Sequence, residues 1–254
     1  MLRFYVSIFL NFFHLWLIPY MQYVHKHYDD YTPEYKFSLV QRVVRHVTNA
    51  SNVHTTYHGV ENIPDTGNFI IYPNHEGKYD TIALLSPFKK PLSIVMDYKR
   101  SFMVLCDEVM NMVDGKRMKR DDVRQALTIM NEVTEELKQG RSFIIFPEGG
   151  YLLDKGNHLF QFKPGAFKCA LKAHSTIVPT VMYNIYKVYE KNNLRHQEND
   201  IYFLDPIYYD EYKGLKTQEL AALVRERIAK KIAELDGISV EEVYRDIPEG
   251  TVLI

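Results

Sequence analysis

The sequence predicts an α/β fold: a mixed, largely parallel sheet flanked by helices and preceded by a separate pair of helices. Two observations carry that expectation. Beyond residue 53, short β-type apolar runs alternate with stretches of helical period, and such strand–helix units build parallel or mixed sheets covered by helices. Before residue 53 the periodicity is helical throughout and the composition shifts. No internal repeat or low-complexity linker appears, which divides the chain into a helical part, 1–50, and an α/β domain, 51–254. At 254 residues, 46 % apolar, the chain is long enough to bury one large core.

Residues 1–28 contain nine aromatic residues and no acidic one. From Phe4 to Met21 the run is apolar except for Ser7, Asn11, His14 and Pro19. Arg3, Ser7, Asn11 and His14 follow one another at helical spacings and draw one narrow polar stripe. Eighteen helical residues reach roughly 27 Å, just short of the ~30 Å hydrocarbon core of a bilayer, and Pro19 is expected to bend or end the helix. The stripe and the aromatics suit a membrane anchor that dips into one leaflet. A buried core helix is the alternative, and a secretory signal lacks its small-residue cleavage site. Arg3 and Lys26 flank the run at both ends, so charge sets no orientation. A second helix is expected over 33–49, with Pro33 in its first turn. Phe37, Val40, Val43, Val44 and Val47 form its apolar face, and Lys36, Arg42 and Arg45 add cations for anionic headgroups or for solvent.

Strands are expected at 69–72, 92–96, 143–146, 177–182 and 201–204, and helices at 81–85, 102–113, 122–138, 166–173 and 217–235. In 122–138 the positions Val123, Ala126, Leu127, Met130, Val133 and Leu137 keep a 3.6 period, Asp121 or Asp122 caps the start and Gly140 ends it. The helix over 217–235 puts Leu220, Leu223, Val224, Ile228, Ile232 and Leu235 on one side, as docking onto a core requires.

Composition removes several functions. Thirty-one Lys and Arg against 32 Asp and Glu leave no basic excess for a broad nucleic-acid surface. Cys106 and Cys169 stand far apart with no CxxC, which excludes a disulfide framework and a four-cysteine zinc site. Cys169 lies mid-helix and reads as a packed core thiol rather than a nucleophile. No GxSxG, GxGxxG, Walker or HExxH sequence occurs. Scattered carboxylates around a lone histidine make a poor metal set, so no metal and no cofactor are expected.

One constellation carries chemistry. After the strand at 69–72 the chain reads Pro73-Asn74-His75-Glu76-Gly77-Lys78-Tyr79-Asp80. Five residues along a helix turn about 500°, which puts His75 and Asp80 on different faces of any continuous helix. They meet only if His75 lies in a turn before the helix and Asp80 in its first turn, with Gly77 supplying backbone freedom and the helix dipole favouring the Asp. A carboxylate on one imidazole nitrogen fixes the tautomer and leaves the other as a base. Taken alone, the pair reads equally as a histidine capping a turn. Two further blocks abut expected strands: Phe146-Pro147-Glu148-Gly149-Gly150 and Val178-Pro179-Thr180-Val181. Carboxyl ends of strands are where α/β folds gather their sites.

Together these blocks resemble the glycerolipid acyltransferase family, which includes glycerol-3-phosphate and lysophosphatidic acid acyltransferases. His75 and Asp80 match its Asn-His-x4-Asp block, Glu148 and Gly149 its Phe-Pro-Glu-Gly block, and Pro179 its fourth block; Phe162-Lys163-x-Gly165 also follows the family's spacing. The resemblance spans roughly residues 54–210, and the two-helix start is similar to the membrane-dipping motif of bacterial members. It implies that His75 takes the proton of a lysophospholipid hydroxyl attacking an acyl thioester, while Asp80 orients and balances the imidazole. It implies acyl-CoA or acyl-carrier-protein as donor, lysophospholipid and membrane lipid as partners, and a peripheral or monotopic place on the cytoplasmic face of the cell membrane. It puts Glu148 and Gly149 at the acceptor site, though Glu148 also reads as a carboxylate tying the loop to an Arg.

The acceptor phosphate needs cations. Gly115-Lys116-Arg117-Met118-Lys119-Arg120 is similar to the family's second block, one residue short and without its apolar pair, with Arg120 as the substrate-binding Arg and Lys116 beside it. A solvated basic edge strand is the structural alternative. The family's third block continues with Thr, Arg and Ser, whereas this chain has Gly150, Tyr151 and Leu152. Lys155 or Lys163 is expected to replace the missing Arg, with Lys163 the better placed. The reading is therefore an O-acyltransferase converting 1-acyl-sn-glycerol-3-phosphate to phosphatidic acid. Acylation of glycerol 3-phosphate or another lysolipid, a non-catalytic lipid-binding relative, and a thioester hydrolase are the competing readings.

Overall fold

The pentapeptide Phe69–Pro73 is buried along its whole length, which a strand covered on both faces permits. In the computed structural model it is the second of seven strands among the described residues: β1 (Val53–His58), β2 (Phe69–Pro73), β3 (Ser93–Asp97), β4 (Lys116–Met118), β5 (Phe143–Ile144), β6 (Thr176–Tyr183) and β7 (Gln197–Phe203). The structure describes residues 3, 6, 7, 9, 16–103, 105–153, 155–190 and 194–254. The sheet order is β1-β7-β6-β2-β5-β3-β4. Every neighbouring pair is parallel except β6 with β7, the mixed, largely parallel sheet that strand–helix alternation predicts.

Seven helices of more than four residues cover it among the described residues: α1 (Leu17–Lys26), α2 (Pro33–Ala50), α3 (Asp80–Leu85), α4 (Cys106–Met112), α5 (Val123–Lys138), α6 (Lys168–Ala173) and α7 (Thr217–Asp236). Successive strand residues face opposite ways, and β2 shows the consequence. Ile71 packs into one core with Val40 and Val44 of α2 and Leu84 of α3. Its neighbours Ile70 and Tyr72 pack into the other with Val133 and Leu137 of α5, Cys169 of α6 and Ile228 of α7. Cys169 is fully buried, and burial pushes its thiol up to about 11, in keeping with a core residue. The caps follow the sequence: the Thr32 hydroxyl accepts from Tyr35 N–H at 3.2 Å ahead of Pro33, and Asp122 accepts from Gln125 N–H at 2.9 Å.

Several expectations are corrected. Pro19 lies in the first turn of α1 rather than ending a helix, where a missing N–H breaks no intrahelical bond. Strands β1 and β4 lie outside the expected strands, because both are polar and draw their order from parallel partners, β7 and β3. The segment 102–113 is helical only over α4, after a 3-10 turn at Arg100–Phe102, and 166–173 opens with a 3-10 turn at Pro164–Phe167. On α5, Val123 is 82 % exposed and Leu127 49 %, so only the later half of its apolar stripe enters the core. Lys36 is buried, with its ammonium over the Tyr28 ring and donating to Tyr28 O at 3.3 Å, rather than on an outward cationic face.

Asn11 and His14 of the polar stripe lie outside the described residues. Of its members, Arg3 is buried and donates to the main-chain oxygens of Ser51 and Arg195, and Ser7 meets Ser51 at 2.8 Å. Leu17, Met21 and Val24 of α1 join the same core as the sheet, while Trp16 and Tyr23 are exposed. Among the described residues no helix is long and apolar enough to cross a membrane.

Gly59 follows β1 at φ +68°, and a Cβ there would collide with the main-chain oxygen of Phe203 on β7. Gly67, at φ +80°, has nothing within 4 Å of such a Cβ. Gly67→Ala is expected to cost the left-handed backbone term alone, about 1–2 kcal/mol. Gly59→Ala should cost at least about 1 kcal/mol more, read as a larger fall in the urea midpoint at unchanged slope.

Candidate active site

Strands β2, β5, β3 and β4 run parallel and side by side, so the residues that follow each of them emerge at one edge of the sheet. That edge receives His75 after β2, Glu148 to Gly150 after β5, Asp97 at the end of β3 and Arg120 after β4. A cleft of about 540 Å³ opens there. His75, Asp97, Lys119, Arg120, Gly149 and Lys163 line one part, and Val43, Val47, Ile82, Leu85, Ile94, Met96 and Val109 line the rest.

The chain leaves β2 through Asn74, whose side chain continues the ladder: Nδ2 donates to Met182 O at 2.9 Å and Oδ1 accepts from Met182 N–H at 2.7 Å. An asparagine supplies both a donor and an acceptor on one short arm. The next residues turn before α3 begins at Asp80. Asp80 Oδ2 accepts from Glu76 N–H at 2.7 Å and Gly77 N–H at 3.0 Å, and lies 2.6 Å from His75 Nδ1. One carboxylate oxygen thus closes the turn and holds the ring. The Asp80 side chain is 1 % exposed and that of His75 18 %. Phe146 and Tyr151 flank the imidazole at ring-centroid distances of 4.4 and 4.8 Å. With Nδ1 donating to the carboxylate, Nε2 is left as an acceptor; it makes no hydrogen bond among the described residues.

The backbone of His75 is held as firmly as its ring. His75 N–H donates to Glu148 Oε1 at 2.7 Å, and Lys155 Nζ donates to His75 O at 2.7 Å and to the same Oε1 at 2.7 Å. Glu148 Oε2 accepts from Phe160 N–H at 2.8 Å. Neither side chain of the Lys155–Glu148 pair has exposed surface. Glu148, expected at the acceptor site, therefore sits behind the histidine and pairs with a lysine rather than an arginine. Lys155 is spent on the same joint and does not reach the cleft. Burial also holds the Glu76 carboxyl well above the usual carboxylate range, Lys155 opposing and Asp80 adding to that shift. Glu76 accepts from Asn74 Nδ2 and Tyr186 N–H, both at 3.2 Å, tying the turn to the chain after β6.

The basic segment divides. Lys116 lies on edge strand β4 and is taken up by Glu136 and Glu132 of α5; it does not line the cleft, a correction to its expected place beside Arg120. Arg120 does line it, with Nε 3.1 Å from Asp97 and Nη1 donating to Leu253 O at 2.9 Å. Lys163 approaches from the far side of the Gly149–Gly150 loop. A Cβ on Gly149 would stand 2.5 Å from Lys163 Nζ, and one on Gly150 3.0 Å from Arg120 Nη1. Burial first, then the nearby Arg120 charge, lowers the Lys163 pKa below the ordinary lysine value. The joint formed by Lys155 and the partner Asp97 had no sequence signal, since each depends on contacts between distant segments; Asn74 stood inside the quoted block without an assigned role. Among the described residues no cluster of His, Cys, Asp and Glu could hold a metal ion.

An oriented imidazole between an apolar cavity and a pair of cations is suited to removing a proton from a hydroxyl whose molecule carries both an apolar tail and an anionic group. Comparison with known proteins agrees with a transfer reaction. The family described as Acyltransferase matches residues 54–183. A 1-acyl-sn-glycerol-3-phosphate acyltransferase of Borreliella burgdorferi is 27 % identical over 68 % of this chain and 70 % of its own length. The Salmonella typhimurium enzyme of the same name is 28 % identical over 67 % and 69 %. The crystal structure of the 1-acyl-sn-glycerophosphate (LPA) acyltransferase PlsC from Thermotoga maritima superposes with a TM-score of 0.71 at 20 % identity, covering 92 % of this chain and 97 % of that one, a likeness of fold. With its family match spanning half of its length, the chain belongs to the acyltransferase family.

Proposed function

We propose that this acyltransferase transfers a fatty acyl group from an acyl thioester, acyl-CoA or acyl-carrier-protein, to the sn-2 hydroxyl of 1-acyl-sn-glycerol-3-phosphate, giving phosphatidic acid. The observation that carries the reading is the 2.6 Å contact between His75 and Asp80 beside a cleft with an apolar body and a cationic end. The names of the relatives supply the acceptor. His75 Nε2 takes the hydroxyl proton as the oxygen attacks the thioester carbonyl, and Asp80 balances the imidazolium. Collapse of the tetrahedral intermediate expels the thiolate, which takes the proton back. General-base help of this kind supplies about 10²–10⁴-fold, and positioning and oxyanion stabilisation supply the remainder.

In this reading Arg120 and Lys163 hold the acceptor phosphate, and the Gly149 backbone lets Lys163 close on it. The acyl chain lies along the apolar lining between α2, α3 and α4. The enzyme works at the cytoplasmic face of the cell membrane, with the aromatic N-terminal segment as its peripheral or monotopic contact. The acceptor is the part least constrained by the family pattern, because Gly150 and Tyr151 stand where Thr and Arg are expected. A panel of glycerol 3-phosphate and lysolipids decides it, and phosphatidic acid formed only from lysophosphatidic acid is the expected result.

Three outcomes follow from these roles. His75→Ala should lower kcat for phosphatidic acid formation by at least about 10²-fold; normal turnover in that variant ends the mechanism. The lowered pKa of Lys163 means its charge, and hence its hold on the phosphate, is lost as pH rises, and at a lower pH than an ordinary lysine loses it. KM for the acceptor should therefore climb on the alkaline side in the wild type and stay flat over that range in Lys163→Arg. Lys155→Met strands a buried carboxylate against the His75 backbone and should cost roughly 3–5 kcal/mol of stability, measured by chemical denaturation. The double variant Lys155→Met/Glu148→Gln should recover part of that stability while kcat remains reduced at unchanged acceptor KM.

A further inference from the structure

The loop that departs from the family pattern, Gly150–Tyr151, is covered by residues 251–254. Ile254 N–H donates to Tyr151 O at 2.9 Å, and Tyr151 N–H donates to the Ile254 main-chain oxygen at 3.2 Å. The two residues exchange both bonds, as a hydrogen-bonded antiparallel pair does. Between them Leu253 O accepts from Arg120 Nη1 at 2.9 Å. The fit over Gly150 leaves no slack: a Cβ there would stand 2.7 Å from Leu253 Cβ and 2.8 Å from the Ile254 oxygen. The segment occupies this place only because residue 150 has no side chain, whereas the family pattern has Thr.

We infer that residues 251–254 form a wall of the acceptor-headgroup site and select a phosphate monoester over a phosphodiester. The inference rests on the reading that Arg120 and Lys163 hold the acceptor phosphate. Asp97 on Nε and Leu253 O on Nη1 fix the guanidinium plane and leave Nη2 and the second Nη1 proton for a ligand. A monoester dianion ends at its own oxygens and brings up to two charges to the two cations. A diester brings one charge and a substituent that must leave past Gly150, where the main chain of 253 and 254 lies. Discrimination of this kind comes from a barrier built against the competitor as much as from attraction to the substrate. The wall also stands one residue from the imidazole, since Tyr151 both pairs with Ile254 and packs against His75.

The test uses the full chain in mixed micelles with a palmitoyl thioester as donor. Lysophosphatidic acid and lysophosphatidylglycerol are the acceptors, the second being an anionic diester. Gly150→Val pushes the segment off its seat, and Ile254→Pro removes one of its two backbone bonds without touching the loop. Both should lower the ratio of kcat/KM for the monoester over the diester by at least about tenfold. Leu194→Asp, at an exposed residue outside both the segment and the cleft, should leave the ratio unchanged. Arg120→Ala reports on the underlying reading and should lose turnover of lysophosphatidic acid. If Arg120→Ala loses that turnover while Gly150→Val and Ile254→Pro keep the wild-type ratio, the wall is overturned and the phosphate site stands. If Arg120→Ala keeps full kcat/KM for lysophosphatidic acid, the phosphate site falls and the wall with it.

Discussion

The carboxylate of Glu148 accepts hydrogen bonds from three places far apart in the chain: the amide of His75, the ammonium of Lys155 and the amide of Phe160. It has no exposed surface, and an isolated carboxylate at such a depth would be costly. Lys155 offsets that cost and at the same time donates to His75 O. The result is a closed circuit around one residue, in which N–H and C=O of His75 are both held by charged groups. A charge-assisted bond is shorter and stiffer than a neutral one, so the imidazole inherits a backbone with little freedom. Asp80 then orients the ring while closing the turn through the amides of Glu76 and Gly77.

The direction of the sheet determines what that imidazole faces. Because β2, β5, β3 and β4 are parallel and adjacent, one edge collects the loops after all four, and the cleft forms along them. The polar end lies where β3, β4 and the β5 loop bring Asp97, Arg120 and Lys163 together. The apolar end lies between α2, α3 and the helix that follows β3. Under the proposed function, an amphiphile with its headgroup at the cations and its chain in the cavity presents the hydroxyl between them to the histidine, the proximity that acyl transfer requires.

Much of the fold was legible because buried strands and core-facing helices carry their own periodicity. The run at β2 and the stripe on α7 are dictated by what they cover, and Thr32-Pro33 and Asp122 mark helix starts by local chemistry. Edge strands β1 and β4 carry no such mark, since polar residues there are ordered by the neighbouring strand rather than by burial. The same division runs through the site. His75 and Asp80 were legible because they are five residues apart and meet across a single turn. The contact of His75 with Glu148 spans 73 residues and that with Lys155 80, and no pattern of residue types announces either. Four cations in 116–120 looked alike in sequence; strand β4 separates them, giving Lys116 to the carboxylates of α5 and letting Arg120 reach past the strand end to Asp97.

The loop after β5 shows how a lost side chain can be replaced by a loss of bulk. Tyr151 stands where the family pattern has an arginine, and two cations, Arg120 and Lys163, approach the loop from different segments. A Cβ at residue 150 would crowd the Arg120 guanidinium, and one at residue 149 the Lys163 ammonium. Gly149, at φ +74°, also adopts a backbone conformation that other residues take at a cost. Two consecutive glycines thus leave room for positive charge to stand against the strand-end loop. Burial first and the neighbouring Arg120 charge second lower the Lys163 pKa, and under the proposed function an anion held between the two cations opposes both.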